Sequence, residues 1–142
     1  MKKISLILTI IIAAAVFAAT GFCQQLVEPN ELKLNPPRYK NSYIKIHDNF
    51  VLMRAAIPFP LPQAGYTLEK YLTFGAAKSG MRCLMRRDIG NEEKVAQFKN
   101  GDRITIYGYV KQPRATYGKG VKVRRETERY IIEVRDIRSG WE

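Results

Sequence analysis

The sequence predicts a mainly β fold: five extended segments and one short helix, preceded by an N-terminal signal helix. Three observations predict it. Apolar and polar residues alternate with period two through residues 43–52, 81–86, 103–110 and 130–137, the pattern of strands buried on one face. Gly, Pro, Asn and Asp punctuate these runs at short intervals, as turns between strands do. Beyond the N-terminal segment, only residues 91–101 carry both a start and a stop signal for a helix. The 142-residue length fits one domain, and 46% apolar with 26% charged residues is a globular composition, not a disordered one.

The first element is an address. Met1-Lys2-Lys3 precedes an uncharged run from Ile4 to Ala19, and small residues follow, the layout of a secretory signal peptide. The run counts 16 residues, short of the roughly 20 that span a bilayer. Continued through Thr20, Gly21, Phe22 and Cys23 it reaches 20, enough for an anchor if it stays uncleaved. Small residues at Ala19 and Gly21 allow a cut after Gly21 or after Cys23. Lipidation of Cys23 is disfavoured, because Phe22 stands where a lipobox carries a small residue. The expected location is therefore outside the cytoplasm: periplasmic or secreted, with membrane attachment only through an uncleaved or lipidated N-terminus. Without residues 1–23 the chain keeps 22 basic and 13 acidic residues.

Residues 24–41 read as an extended arm ahead of a domain at 42–142, because Pro29, Pro36 and Pro37 interrupt regular structure. From Ser42 to Ala55, Ile44, Ile46, Phe50 and Leu52 share one parity and Tyr43, Lys45, His47 and Asn49 the other. His47-Asp48-Asn49 breaks the pattern with turn formers, which suggests a bulge that bends one long strand, the alternative being a tight turn between two short ones. Pro58, Pro60 and Pro62 make a rigid loop, since proline cannot donate to a sheet ladder. Residues 66–77 fit helix or strand spacing equally. Met81, Cys83 and Met85 alternate with Arg82, Leu84 and Arg86, a strand that buries Cys83 as a free thiol; pairing with Cys23 is the alternative in an oxidising compartment. Asn91 is the expected helix cap, Glu92 and Glu93 suit the positive end of the helix dipole, Lys99 suits the negative end, and Asn100-Gly101 forms the stop. Ile104, Ile106, Gly108 and Val110 oppose Thr105, Tyr107 and Tyr109 in the clearest strand, and Tyr130, Ile132 and Val134 oppose Glu133 and Arg135 in the last.

The order of a long strand, two extended segments, a short helix and two strands resembles an OB-fold. The text from Phe98 to Val110, with a Gly101-Asp102 turn into alternating aliphatics and Gly108, is similar to the helix end and fourth strand of many such barrels. Tyr130–Ile137 resembles their fifth strand. The signal segment in front makes the whole similar to the small exported bacterial OB-fold proteins, abbreviated BOF. The resemblance implies a five-stranded Greek-key barrel closed by one helix, and it specifies no chemistry.

Composition and motifs point away from catalysis. His47 is the sole histidine, and no Gly-x-Ser-x-Gly, P-loop or HExxH pattern occurs. Glu92-Glu93 suits a solvated helix start. No cofactor is expected, and one His with two distant Cys makes no metal set. Binding is the better-supported role. Lys111, Arg114, Lys119, Lys122, Arg124 and Arg125 fall in one stretch free of acidic residues, around the Tyr117-Gly118-Lys119-Gly120 tip. The resemblance makes this the loop between the fourth and fifth strands, which OB-folds use to hold nucleic acid or sugar polymers. Tyr107 and Tyr109 are expected beside it as a stacking platform, with Arg82, Arg86 and Arg87 as a second cationic row. The expected partner is an anionic polymer, namely single-stranded nucleic acid, a glycan or an envelope component. The alternative is a structural or protein-interaction module of the envelope.

Overall fold

The computed structural model describes residues 24–54, 56–58, 61–113 and 130–142. The expected signal segment, the expected cleavage sites and Cys23 lie outside them. The strands are β1 (Gln25–Val27), β2 (Tyr43–Val51), β3 (Tyr71–Ala76), β4 (Arg82–Arg86), β5 (Arg103–Lys111) and β6 (Ile131–Ser139). The helices are α1 (Pro29–Leu34) and α2 (Ile89–Ala96), and Pro36–Tyr39 and Pro62–Ala64 form 3-10 turns.

The sheet runs β1-β2-β3-β4-β6-β5, and β5 returns to pair with β2, closing β2–β6 into a five-stranded barrel. All neighbours in the barrel are antiparallel except β4 and β6, which run parallel. A parallel third-to-fifth pairing, with the helix between the third and fourth barrel strands, is the OB topology that the element order suggested. Ile44, Ile46, Phe50, Phe74, Cys83, Met85, Ile104, Ile106 and Ile132 fill the interior. Each such side chain contributes on the order of 1.5–3 kcal/mol when taken from water. α2 has no fully buried residue; Val95 and the following Phe98 lean on the core, where Phe98 meets the Phe50 ring at 5.6 Å.

Four expectations need correction. Residues 25–39 are not merely extended. β1 adds to β2 in parallel register, and Pro29 sits in the first turn of α1, where its missing N–H costs nothing. Val27, Leu32 and Tyr39 then enter the core, so this segment folds onto the barrel. No bulge occurs at 47–49: β2 pairs continuously with β5 from Tyr43 to Asn49, and Asp48 takes an inward position while Leu52 is 67% exposed. The irregularity falls instead in β6, where Tyr107 faces Asp136 and Gly108 faces Val134, leaving Arg135 as the extra residue. The α2 cap is Asp88, whose carboxylate accepts the Asn91 N–H at 2.8 Å. α2 ends at Ala96, so Lys99 lies beyond it and Gly101 (φ +90°) serves the turn into β5.

The ambiguous segment 66–77 resolves into turns followed by β3. Cys83 is a fully buried free thiol, and burial pushes its ionisation up. It should therefore resist alkylation by iodoacetamide in the folded protein and react fully only in denaturant, read by intact mass. Rapid labelling of the native protein would contradict the packing of β4.

Candidate polymer-binding face

The outer surface of the barrel is divided between a covered face and a part-exposed one. Leu84 of β4 and Ile131 of β6 point outward, yet both are buried because Leu61 packs over them, with Ile57, Tyr66 and Tyr71 around the rim. The Tyr66 hydroxyl donates to Glu133 Oε2 at 2.8 Å; burial and that carboxylate push the phenol's ionisation up. Arg82 Nη1 donates to Thr73 Oγ1 and to the Ala56 carbonyl, and Arg87 pairs with Glu92. The second cationic row expected at Arg82, Arg86 and Arg87 is thus partly committed to holding this loop and α2. OB barrels commonly bind ligands on the face of their second and third strands. Here those are β3 and β4, and the chain's own Ile57 and Leu61 lie on that side.

The second face belongs to β2, β5 and β6, where Tyr43, Lys45, Tyr109 and Lys111 are part-exposed and Thr105 is buried beneath Gly140 and Glu142. The β2–β5 register places Tyr43 opposite Tyr109, Lys45 opposite Tyr107, His47 opposite Thr105 and Asn49 opposite Arg103. The Tyr43 and Tyr109 rings meet at 4.9 Å between centroids, tilted by 56°. Lys111 and Arg135 stand over the Tyr109 ring at 5.3 and 5.5 Å, and Lys45 and Arg138 over the Tyr107 ring at 5.7 and 5.1 Å. Such cation–ring contacts orient the long cationic side chains.

The carboxylates on this face are unevenly shared. Arg135 pairs with Glu133, and Arg138 with Asp136 and Glu142. Burial works against the Asp136 charge, but hydrogen bonds from Lys94 and Arg138 outweigh it and hold its carboxyl below the usual range. Among the described residues, no carboxylate lies within ion-pair distance of Lys45 or Lys111.

Of the site residues expected from sequence, Tyr109 and Lys111 fall on this face together. Tyr107 points outward as its parity requires, but Lys45 and Arg138 cover it to 7% exposure, so it supports cations and is not an open stacking surface. Arg114, Tyr117, Lys119, Lys122, Arg124 and Arg125 lie outside the described residues. Lys111 and Ile131, which pair with each other, mark where that connection leaves and rejoins the barrel. Tyr43 and Lys45 were missed as site residues because only the β2–β5 register brings them beside Tyr109 and Tyr107.

His47 and Asp48 form no catalytic pair. They point to opposite faces of β2: His47 outward, with Nε2 2.7 Å from the Glu142 backbone oxygen, and Asp48 inward. Among the described residues no group of three or more His, Cys, Asp or Glu is placed to hold a metal ion, and no helix is long and apolar enough to cross a membrane.

Fold and face together define a small OB-type barrel with an aromatic and cationic outer surface. No protein-family model and no curated protein matches the chain. Among solved structures, 84% of the chain is similar to part of a protein assigned as an aspartyl-tRNA synthetase of Leishmania major Friedlin, with a TM-score of 0.48 and 9% identity. The chain spans 21% of that protein's length.

Proposed function

We propose that this protein is an exported, non-catalytic binding module that holds an anionic polymer on the β2–β5 face and the adjoining basic connection. The observation that carries the reading is the Tyr43–Tyr109 pair flanked by Lys45 and Lys111, at the point where a stretch with six Lys and Arg and no acid before Glu126 leaves the barrel. Flat rings beside free cations suit a flexible strand whose repeating units carry charge. Single-stranded nucleic acid, a glycan and an envelope polymer all belong to that class. Export is supported by the charged start and apolar run of residues 1–19.

The rival role, an envelope protein-interaction module, draws on a different feature. A cleft of about 360 Å³ between α2 and β3 is lined by Leu52, Met53, Leu68, Leu72 and Val95.

Salt separates the two. Polymer binding should weaken steeply with ionic strength, with a log–log slope of about −0.7 for each phosphate contact to a single strand. Replacing Lys119, Lys122, Arg124 and Arg125 by Ser should lower polymer affinity at least tenfold and flatten that slope by about 3 if all four touch phosphates. Adding Lys45→Ser and Lys111→Ser should reduce binding further. Anisotropy of labelled oligonucleotides and anionic glycans across 50–500 mM salt, conditions set by the experiment, reads all of this. Full affinity in the six-site variant would overturn the reading, and a salt-insensitive protein partner would favour the rival.

A further inference from the structure

We propose that the end of the barrel carrying Leu26 and Trp141 docks on a lipid bilayer with anionic headgroups, beside the point where the apolar N-terminal run joins the fold. The contact stands apart from the polymer-binding role and uses different residues.

The patch is built by a return of the chain. After β6, Gly140 N donates to the Arg103 carbonyl at 2.8 Å, and the Trp141 indole N–H donates to the Asp48 carbonyl at 3.2 Å. These bonds fix the indole on the outside of β2, where His47 lies parallel to it, 7° between planes and 6.1 Å between centroids. Trp141 is still 43% exposed. Leu26 of β1, 53% exposed, lines the same cleft of about 260 Å³, together with His47 and Lys78. Lys78 stands 4.2 Å from the ring centroid and Arg103 4.7 Å. The Lys78 backbone N–H donates to the Asp48 carboxylate at 2.7 Å, so the turn that carries this lysine is held in place. Among the described residues neither cation has a carboxylate within ion-pair distance. Glu28 is the one acid lining the cleft. Glu142 borders it, with its backbone oxygen 2.7 Å from His47 Nε2, but its side chain is paired with Arg138 at 3.0 Å.

Two observations choose a bilayer over a dissolved partner. An exposed indole would suit a nucleobase or a sugar face equally well, but Leu26 would not. A branched aliphatic offers such a polymer no hydrogen bond, whereas sinking it to the boundary of headgroups and acyl chains removes its apolar surface from water. Tryptophan is at home at that depth, and lysine and arginine there face the headgroup phosphates. The second observation is position. The uncharged run 4–23 ends one residue before β1 begins, and Leu26 follows Cys23 by three residues, at most about 10 Å of extended chain. A membrane that takes up that run lies within this reach of Leu26, and the shared cleft then brings Trp141 and Lys78 to the same surface.

The test uses the full 142-residue chain in phosphatidylcholine vesicles, with or without phosphatidylglycerol, whose acyl chains are brominated near the headgroup. Trp141 is the only tryptophan, so bromine quenching of its fluorescence reports on this patch alone. Quenching is expected in the phosphatidylglycerol vesicles, much weaker in the neutral ones, and relieved by high salt. Lys78→Ser with Arg103→Ser should lower the ratio of docked to undocked patch about 25-fold, at roughly fivefold for each cation near an anionic surface. Leu26→Glu leaves both cations and the bonds of the indole in place and should abolish quenching too. Both variants should keep the parent's thermal midpoint. Every variant retains the same N-terminal run, so tethering by that run would quench all of them alike. Quenching indifferent to lipid charge and to both variants overturns the proposal, as does an indole that no bromine reaches. Loss of oligonucleotide or glycan affinity in these variants, without lipid quenching in the parent, would give the patch to the polymer instead.

Discussion

Replacing Asp48 by alanine is expected to remove about 3–4 kcal/mol of stability, a large share of what a domain of this size holds. Asp48 is fully buried on the inward parity of β2, between Ile46 and Phe50. Its Oδ1 accepts the N–H of Asn49 and of Lys78, each at 2.7 Å, and its Oδ2 accepts the N–H of Ser79 at 3.0 Å. The carboxylate thus ties the β3–β4 turn to the middle of β2. Alanine leaves three backbone donors without that acceptor, and each donor stranded away from water costs on the order of 1–3 kcal/mol. Asp48→Asn should fall between, because an amide oxygen at the Oδ1 position keeps two bonds while its NH₂ confronts the Ser79 N–H. Urea unfolding gives the free energies, and hydrogen exchange at Lys78 and Ser79 shows whether the turn loosens first. An alanine variant within 1 kcal/mol of the parent, a threshold set by the usual value of one hydrogen bond, would mean that water replaces the carboxylate and that the turn stands without it.

Much of the barrel was legible because its signals are local. The alternation in Arg103–Lys111 and Arg82–Arg86 named both strands and the burial of Cys83. Features that depend on distant partners were not. Asp48 read as a turn former, because the amides that satisfy it lie 30 and 31 residues away. The folded 25–39 segment was hidden by its prolines, although Pro29 ahead of Leu32 also fits a helix start. Asp88 and Asn91 are both competent caps, and the Ile89-Gly90 pair between them offered no helical pattern to choose by. The site divides in the same way. Tyr109 and Lys111 follow from one strand's alternation, whereas Tyr43 and Lys45 require the β2–β5 register. Trp141 requires a tail that turns back across β5, for which the sequence shows only Gly140, at φ +79°. The cover over Tyr107 comes from cations on two neighbouring strands, which no single-strand pattern displays.

The β6 bulge did leave a trace: Ile132 and Val134 share one parity and Ile137 the other, yet all three are buried. One extra residue between them restores all three to the interior, and Arg135 is that residue. Gly108 is what makes the bulge possible. A Cβ there would fall inside van der Waals contact with the Glu133 backbone oxygen and 3.0 Å from Ile132 Cγ2. Glu133 cannot move aside easily, since it is paired on both edges, with Tyr109 of β5 and Leu84 of β4. Gly108→Ala is therefore expected to cost about 3 kcal/mol, the upper part of the range for overpacking a filled site. Gly101→Ala is the matched comparison: its φ is +90° but nothing lies within 4 Å, so only the backbone conformation is penalised, at about 1–2 kcal/mol. The bulge also sets the site, because it carries Arg135 over the Tyr109 ring and sends Asp136 toward Lys94 and Arg138. Gly108→Ala should then weaken polymer binding even where the variant stays folded, while Gly101→Ala should not. Urea midpoints and ligand anisotropy on the two variants decide it, and equal losses in both would remove Gly108 from any special place in the β5–β6 pairing.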